Sequence, residues 1–301
     1  MKTIAPIKGM KEWVAFLRTK GLTLGLVPTM GALHQGHVSL IRRAREENDK
    51  VILGIFVNPI QFDKEKDLLS YPRDIEKDKE LASREGVDII FAPSVEEIYP
   101  KGFSTFVEEE DLTERLCGEH RPGHFRGVTT VVTKLLNIIS PDRAYFGLKD
   151  LQQSHVIKKM VRDLNMNVEV VVLPTVRDKD GLALSSRNQH LSRTERQTAL
   201  SIYKALIRAR ELFASGETNS CEILQEMHGI LHKAGIFQID YTSVVDPETL
   251  EELEEARPDA VVALACWVGN TRLIDNMGLS ETTSLKERLP ALSSLEREAH
   301  A

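Results

Sequence analysis

The chain has 301 residues, 42% of them apolar, and its 39 Lys and Arg against 45 Asp and Glu give a formal net charge of −6 at pH 7. That apolar share excludes a disordered chain, and an acidic balance without a basic stripe argues against a nucleic-acid partner. The longest apolar run, from Ala260 to Val268, has nine residues, against the roughly 20 that a membrane-spanning helix needs. We therefore expect no membrane partner.

The amino terminus and the cysteines favour a cytoplasmic protein. The opening residues, MKTIAPIKGMKEW, lack the continuous apolar stretch of a signal peptide. The three cysteines lie far apart without a C-x-x-C pair, at Cys117, Cys221 and Cys266. Such spacing predicts reduced thiols, and it favours neither a zinc site nor a disulfide framework.

Apolar β-rich runs alternate with amphipathic stretches of helical length through residues 1–177, a pattern typical of strand-helix-strand units with right-handed crossovers. The expected strands are Leu22–Val27, Val51–Val57, Val87–Phe91, Arg143–Phe146 and Val168–Val172. The expected helices are His37–Glu47, Asp74–Glu85, Gly127–Ile139 and Asp150–Leu164. The predicted fold class is α/β, with a Rossmann-like, doubly wound parallel sheet over residues 1–177.

The pattern changes after the charged, glycine-containing loop at residues 177–181. Two long helices are expected there, and short strands follow them. The helices are Arg193–Phe213 and Cys221–Lys233, and the strands lie near Ile239–Val245, Val261–Trp267 and Arg272–Asp275. This order predicts a second, smaller α+β domain over residues 178–285, and residues 286–301 are interpreted as a charged tail.

In doubly wound sheets, ligands bind beyond the carboxyl ends of the strands, so the loops after the strands ending near residues 27, 57, 146 and 172 are expected to converge on one cleft. The first of these loops, P-T-M-G-A-L-H-Q-G-H, runs directly into a helix. Free backbone N–H groups and the helix dipole at such a junction suit anionic phosphates. The loop is therefore interpreted as a phosphate site.

Gly31 and Gly36 have the spacing of a P-loop, but His37 and Val38 stand where that motif requires Lys and Ser or Thr. What remains is H-x-G-H, with His34 and His37 at a helix start. Imidazoles donate hydrogen bonds to phosphate oxygens and, when protonated, neutralise developing charge. The alternatives are a zinc-binding pair and two incidental surface histidines.

Two further loops carry polar side chains suited to a substrate. Asn58 and Gln61, in N-P-I-Q-F, offer the donors and acceptors that a polyhydroxy or carboxylate substrate requires, although N-P is also a common turn. Lys149 follows a strand and can reach a phosphate. Asp150 and Gln153 have the spacing of a capping box, so a purely structural role is an equal alternative for both.

The fourth loop combines Val176 with L-S-S-R at residues 184–187. Two hydroxyls followed by an Arg can wrap a triphosphate, because the hydroxyls bind its oxygens and the guanidinium forks onto them. A serine-rich interdomain linker is the alternative. Because the four loops are expected at one edge of one sheet, their combination predicts a nucleotide site.

With these loops the chain resembles the nucleotidylyl-transferase superfamily. The H-x-G-H loop and the distant M-S-K-S-like loop of that superfamily correspond here to His34–His37 and Leu184–Arg187. Within that superfamily it is similar to the pantoate–β-alanine ligase family. The matching segments are V-P-T-M-G-A-L-H-Q-G-H, F-V-N-P-I-Q-F, Y-P-R-D, H-F-R-G-V-T-T-V-V-T-K-L, P-D-R-A-Y-F-G-L-K-D, Q-Q and D-G-L-A-L-S-S-R-N. Leu148 departs from the acidic or polar residue usual in the family.

The resemblance implies two half-reactions. Pantoate attacks the α-phosphorus of ATP and releases pyrophosphate, and the amine of β-alanine then attacks the pantoyl adenylate and releases AMP. It also implies Mg²⁺ on the phosphates and a homodimer. The runner-up interpretations are transfer of AMP to a phosphate-bearing acceptor and a nucleotide-binding regulator without turnover.

The resemblance also assigns residues to roles. His37 is implied as proton donor or transition-state hydrogen-bond donor, with His34 beside it, and Lys149 as the group that stabilises the α-phosphate. Pantoate is implied to bind Gln61 and Gln153, with Gln61 also near the β-alanine position, and Asn58 is a further candidate substrate-binding residue. The implied ATP-binding residues are Met30, Gly31, Ala32, Leu33, His34, Gln35, Gly36, His37, Gly147, Leu148, Lys149, Asp150, Val176, Leu184, Ser185, Ser186 and Arg187. His124 and Arg126 are interpreted either as bordering the cleft or as part of an ordinary loop that leads into a helix.

Overall fold

The computed structural model describes residues 1–280, which form a parallel sheet flanked by helices and a smaller antiparallel sheet. The predicted charged tail at residues 286–301 lies outside the described residues. The α/β fold class with a second α+β unit is confirmed. No helix within residues 1–280 is long and apolar enough to cross a membrane.

Six parallel strands form the large sheet, in the order β1-β4-β3-β2-β5-β6. Their bounds are β1 Lys2–Ile4, β2 Leu24–Thr29, β3 Lys50–Ile55, β4 Ile89–Phe91, β5 Arg143–Gly147 and β6 Glu169–Leu173. The chain builds outward from β2 to β3 and β4 on one side, and to β5 and β6 on the other. The strand order therefore reverses between β2 and β5, which is where such sheets bind ligands.

The helices of this unit pack on both faces of the sheet. They are α1 Ile7–Arg18, α2 Gln35–Glu47, α3 Glu65–Ser70, α4 Ile75–Arg84, α5 Val95–Ile98, α6 Cys117–His120, α7 His124–Ile139 and α8 Leu151–Asp163. Short 3-10 turns lie at Pro59–Gln61, Leu112–Glu114, Leu148–Asp150 and Ser186–His190. The sequence interpretation included neither β1 nor α1. The three residues of β1 are too few to show a period, whereas α1 does bury Met10, Val14 and Leu17 at helical spacing.

Alternation along the central strands explains their continuous apolar runs. Leu24 and Leu26 of β2 pack in one apolar cluster with the helix α7, whereas Val27 packs in another with Ile41 and Ala44 of α2. Successive side chains of a strand point to opposite faces, so a sheet covered on both faces needs apolar residues throughout. This burial fixes the sheet and with it the positions of the loops at its carboxyl edge.

The second unit consists of α9 Arg193–Ala214, α10 Ser220–Lys233 and the antiparallel strands β7 Ile239–Val245, β8 Val261–Val268 and β9 Thr271–Gly278. Its core lies between the two helices and the sheet. A further apolar cluster joins the units, because Leu151 and Phe125 of the first pack with Val245 and Val261 of the second. The boundary between residues 177 and 178 stays a prediction.

Candidate functional site

A cavity of about 980 Å³ opens beyond the carboxyl ends of β2, β3 and β5, and the second unit forms its far wall. The predicted convergence of the four loops is visible in its lining. The predicted residues that line it are Met30, His34, Gly36, His37, Asn58, Gln61, Gly147, Lys149, Asp150, Gln153, Val176, Leu184, Ser185, Ser186 and Arg187. Gly31, Ala32, Leu33, Gln35 and Leu148 are not part of that lining.

The turn at Gly31–Leu33 wraps around a carboxylate from α4. The backbone N–H groups of Ala32 and Leu33 donate to Asp78 at 3.0 and 2.8 Å. Gly31 has φ +84°, and a Cβ there would lie 2.8 Å from an oxygen of Asp78, so a larger residue does not fit. The expectation that these amides are free for phosphates is therefore wrong, because a buried carboxylate of the protein occupies them. Sequence reasoning missed Asp78, which lies in a charged run typical of a solvated helix face.

Backbone amides set the tautomers of the two histidines at the start of α2. The N–H of His34 donates to Nδ1 of His37 at 3.2 Å, and the N–H of Gly36 donates to Nδ1 of His34 at 3.1 Å. With Nδ1 acting as acceptor in each ring, the ring proton of a neutral imidazole resides on Nε2. The two ring centroids lie 4.1 Å apart, so the pair presents two N–H donors side by side.

Burial keeps both imidazoles neutral. It lowers the pKa of His37 to about 3, with a further contribution from His34, and it lowers the pKa of His34 to about 4, assisted by the Lys149 ammonium. At neutral pH these rings therefore act as hydrogen-bond donors and not as cations. Within residues 1–280, no group of three or more His, Cys, Asp or Glu is arranged to hold a metal ion.

Asn58 orients Gln61. Nδ2 of the buried Asn58 donates to Oε1 of Gln61 at 3.0 Å and to the carbonyl of Gly127 at 2.9 Å, while its Oδ1 accepts from Tyr99 at 2.8 Å. All of its polar atoms therefore face protein partners. Nε2 of Gln61 donates to Sδ of Met30 at 3.2 Å, and both residues line the cavity.

The turn Leu148–Asp150 carries two charged side chains of the site. Nζ of Lys149 lies 3.2 Å from Oδ1 of Asp150. Burial is the largest influence on the pKa of Asp150 and would raise it, but the charge and hydrogen bond of Lys149 together with the charge of Arg187 and the influence of His124 lower that pKa, so the carboxylate is ionised. The capping role considered for Asp150 is wrong, since its side chain makes no hydrogen bond to the start of α8.

The adjacent glutamines of α8 divide into a buried and a cavity-lining residue. Gln152 is buried, accepts from the amide of Cys117 and donates to the carbonyl of Leu112. Gln153 lines the cavity. Leu148, the departure from the family pattern, packs against the apolar cluster that joins the two units. Its side chain therefore contributes to packing, and its carbonyl accepts from Asn276 at 3.0 Å.

The loop at residues 184–187 is held against the segment that contains α3. The hydroxyls of Ser186 and Tyr71 lie 3.1 Å apart, and Nη2 of Arg187 donates to Asp67 at 2.8 Å. The amide of Leu184 donates to the carbonyl of Val176 at 3.0 Å, which places both at the base of one hairpin-like loop. Neither Tyr71 nor Asp67 was identified from sequence.

The structure separates His124 from Arg126. His124 lines the cavity, whereas Arg126 lies outside its lining, over the ring of Phe106 at 3.9 Å and 3.8 Å from Glu108. The interpretation that both border the cleft is therefore wrong for Arg126. Sequence reasoning also missed Arg121, which begins the same R-P-G-H segment and lines the cavity.

The parallel sheet and the position of the cavity at its reversal of strand order define a Rossmann-like α/β enzyme. A family model described as Pantoate-beta-alanine ligase matches residues 2–278. The chain belongs to the pantoate-beta-alanine ligase family.

Curated relatives and solved structures agree with that family. The chain is 55% identical to a pantothenate synthetase of Thermotoga petrophila over 92% of this chain and 99% of that one, and 53% identical to one of Moorella thermoacetica over 93% and 99%. It is similar to a crystal structure of pantothenate synthetase from Thermus thermophilus, with TM-score 0.87 and 44% identity over 93% and 100% of the two chains. A pantoate-beta-alanine ligase from Francisella tularensis, complexed with beta-gamma ATP and beta-alanine, gives TM-score 0.80 and 37% identity over 93% and 98%.

Proposed function

We propose that the chain condenses pantoate with β-alanine at the expense of ATP, giving pantothenate, AMP and pyrophosphate, through a pantoyl adenylate. Family membership and the two ligands of the Francisella complex support this reaction. The observation that carries the proposal is that His37, Gln61, Lys149 and Arg187, from four separate loops, line one cavity. Such a site activates the acid through a mixed anhydride, so the protein needs to supply alignment and charge neutralisation and no covalent nucleophile.

ATP is proposed to lie across the switch point between β2 and β5. Its phosphates face Lys149 and the loop at residues 184–187, and its adenine lies near the backbone of Val176. His34 and His37 donate from Nε2 to phosphate oxygens, a role that suits neutral rings whose Nδ1 atoms are already acceptors. The neutral state favours a transition-state hydrogen-bond donor over a proton donor for His37. Lys149 is the cation for the charge that develops on the α-phosphate.

Not every residue implied by the resemblance is proposed to touch the nucleotide with its side chain. Gly31, Ala32, Leu33, Gln35 and Leu148 are outside the lining of the cavity. For Ala32 and Leu33, the contacts with Asp78 support a role in shaping the turn that precedes His34. We assign these residues to the wall behind the ATP site.

Pantoate is proposed to bind between Gln61 and Gln153. Oε1 of Gln61 accepts from Asn58, and its Nε2 donates one N–H to Sδ of Met30, so the second N–H is left for the acid. The role proposed for Asn58 is therefore to orient Gln61 rather than to contact the substrate. A buried amide with all its polar atoms paired holds its partner in one orientation.

Mg²⁺ is proposed to bind ATP through the phosphates. Mg²⁺ favours hard oxygen ligands and is usually held by one or two carboxylates together with substrate phosphates. Asp150 fits that requirement, since its ionised carboxylate lines the cavity beside Lys149 and is 44% exposed. When bound there, the ion would neutralise phosphate charge. We further propose a homodimer, which the family resemblance supports, and a cytoplasmic location, which the wide spacing of the three cysteines supports.

The test measures exchange of labelled pyrophosphate into ATP by the purified protein. The mixture contains ATP and Mg²⁺ but no β-alanine, and exchange is compared with and without pantoate. Pantoate-dependent exchange is expected, because the adenylate forms before the amine reacts. Exchange only when β-alanine is present would argue for a concerted reaction. Activity with phosphate-bearing acceptors but not with pantoate would instead assign the chain to the other nucleotidylyl transferases.

A further inference from the structure

Arg121 is a largely buried cation of the cavity that takes no part in the proposed ATP and pantoate contacts. It lies between α6 and α7, its side chain is 12% exposed, and it lines the same cavity as Gln61 and Gln153. Burying a guanidinium is costly unless it is paired and hydrogen-bonded. Its N–H donors therefore need acceptors, either within the protein or on a ligand.

Three protein acceptors surround this guanidinium. Nε donates to Oδ1 of Asp63 at 3.2 Å, Nη2 donates to the carbonyl of Gln61 at 3.3 Å, and Nη1 lies 3.1 Å from Nε2 of His124. A guanidinium has five N–H groups, so two of them have no acceptor among residues 1–280. Arg121 thus retains donors for a ligand while its orientation is already fixed.

His124 contributes to that orientation. Its Nδ1 lies 2.7 Å from the carbonyl of Gln61, which accepts only, so Nδ1 carries the proton. Burial, together with the charge of Arg121, lowers the pKa of His124 to about 3, and the neutral ring accepts from Arg121 through Nε2. The same carbonyl of Gln61 therefore holds both His124 and Arg121, next to the side chain proposed to bind pantoate.

Building on the proposed function, we propose that Arg121 binds the carboxylate of the amine substrate and so selects β-alanine over amines without an acidic group. The amine must reach the acyl carbon of the adenylate, which lies near Gln61. The amine and carboxylate of β-alanine are separated by two methylenes, about 5 Å. The cation that binds the carboxylate must therefore lie about one hydrogen bond, roughly 3 Å, beyond that span from the attacking nitrogen. Arg121 lines the same cavity, and its Nη2 lies 3.3 Å from the backbone carbonyl of Gln61.

Within residues 1–280, no other Lys or Arg that lines the cavity hydrogen-bonds to Gln61. Lys149 and Arg187 belong to the proposed phosphate site. Arg272 donates from Nε to Asp240, and both its Nη atoms face Sγ of Cys117 at 3.6 and 3.7 Å. Lys64 lies over the ring of Trp267 at 4.9 Å. Arg121 is the cation that combines contact with Gln61 and unshared donors in a fork that matches a carboxylate.

The experiment compares β-alanine with n-propylamine, which has the same chain length and no carboxylate, in the full reaction with pantoate, ATP and Mg²⁺. The quantity measured is the ratio of the two kcat/KM values in the wild type, Arg121→Gln, Arg121→Lys and Arg126→Gln. Arg126, on the neighbouring turn but outside the cavity lining, is the matched control. General damage to the adenylation step lowers both kcat/KM values and cancels in the ratio.

We expect Arg121→Gln to lower the ratio by about 10- to 100-fold, the scale of one charge-assisted contact. Arg121→Lys is expected to restore part of it, and Arg126→Gln to leave it unchanged. An unchanged ratio in Arg121→Gln, with both amines equally slowed, would overturn the proposal and leave Arg121 a support for Gln61. If Arg121→Gln does not fold, the charge-neutral Arg121→Met is measured in its place, with the same expected and contradicting results. A wild type without pantoate-dependent pyrophosphate exchange would instead refute the proposed function.

Discussion

Nδ2 of Asn276, in the antiparallel sheet, donates to the carbonyl oxygen of Lys149 at 3.0 Å. The same nitrogen donates to the carbonyl of Leu148 at 3.0 Å, so one amide from the second unit holds the backbone of the turn that carries the lysine. Asn276 is buried, and its neighbour Asp275 forms a bidentate ion pair with Arg177 at 2.5 and 2.9 Å. The orientation of Lys149 therefore depends on the placement of the second unit.

Asn276→Asp is expected to reduce catalysis without abolishing binding. It replaces a double donor by a carboxylate oxygen that repels both carbonyls, so the turn must shift. Because a displacement of about 1 Å at a reacting centre costs on the order of 10²-fold in rate, we expect kcat of pyrophosphate exchange to fall about 10- to 100-fold. KM for pantoate should change less, since Gln61 does not contact Asn276.

The matched control is Asn137→Asp, which makes the same change in charge at an exposed position of α7. It should leave both constants near their wild-type values. Equal kcat values for Asn276→Asp and Asn137→Asp would show that the second unit does not position Lys149.

The state of the two histidines leads to a prediction about His37. If His37 acts as a neutral donor from Nε2, His37→Ala should lower the exchange rate by roughly 10²–10³, the scale of one lost transition-state donor. His37→Gln, whose side-chain amide also carries an N–H, should retain more activity than His37→Ala. Lys149→Ala should be as slow as His37→Ala. His232→Gln, on the exposed side of α10, is the control.

The exchange assay separates two roles for this imidazole. A general acid has to release a proton, which an amide cannot do at neutral pH. Equal rates for His37→Gln and His37→Ala would therefore contradict the donor role, and wild-type rates in both His37→Ala and Lys149→Ala would contradict the site as a whole.

Folding stability is expected to fall as the pH falls from about 6.5 to about 4. His34, His37 and His124 have pKa values lowered from 6.5 to between about 3 and 4 in the folded protein, chiefly by burial. Between these values the unfolded chain binds more protons than the folded one, so the free energy of unfolding decreases as the pH decreases. Above about pH 6.5 this contribution is fully present.

Thermal unfolding measured across this pH range tests the assignment. The Tm of the wild type should fall steadily below about pH 6.5, and His37→Gln, which removes one of the three titrating rings, should show a shallower fall. Parallel curves for the two proteins would show that His37 titrates normally in the folded state.

The sheet and its loops were predictable because their signals are local. The central strands are buried on both faces and read as continuous apolar runs, and the turn-forming residues after them lie at the carboxyl edge by the topology of parallel sheets. The predicted strand Ile239–Val245 has the observed bounds. For the five predicted strands of the large sheet, predicted and observed ends differ by up to about two residues, as expected at element ends.

Some of the polar contacts that shape the site were not predictable, because they join residues far apart in the chain. Asn276 lies 127 positions from Lys149, and Asp78 lies 46 from Ala32. Locally, Asp78 belongs to a charged helix and Asn276 to a short strand, and nothing in either pattern specifies the amide or carbonyl that it meets. Arg121 is a further example. Its local sequence indicates only a turn, whereas tertiary packing places it against Gln61, which lies far away in the chain.

Gly127 of α7 provides a last prediction about the placement of Gln61. A Cβ at Gly127 would lie 2.6 Å from the carbonyl of Ile60 and 2.7 Å from Cα of Gln61, and both of these atoms belong to backbone that cannot rotate away. Gly127→Ala should therefore push Gln61 out of place, raise KM for pantoate at least about tenfold and destabilise the fold by roughly 1–3 kcal/mol.

Gly229→Ala is the control, because Gly229 is also helical and nothing lies within 4 Å of its Cβ position. It should be neutral or stabilising by about 1 kcal/mol. Pantoate-dependent exchange and thermal unfolding of the two variants measure both effects, and an unchanged KM in Gly127→Ala would mean that this close approach does not position Gln61.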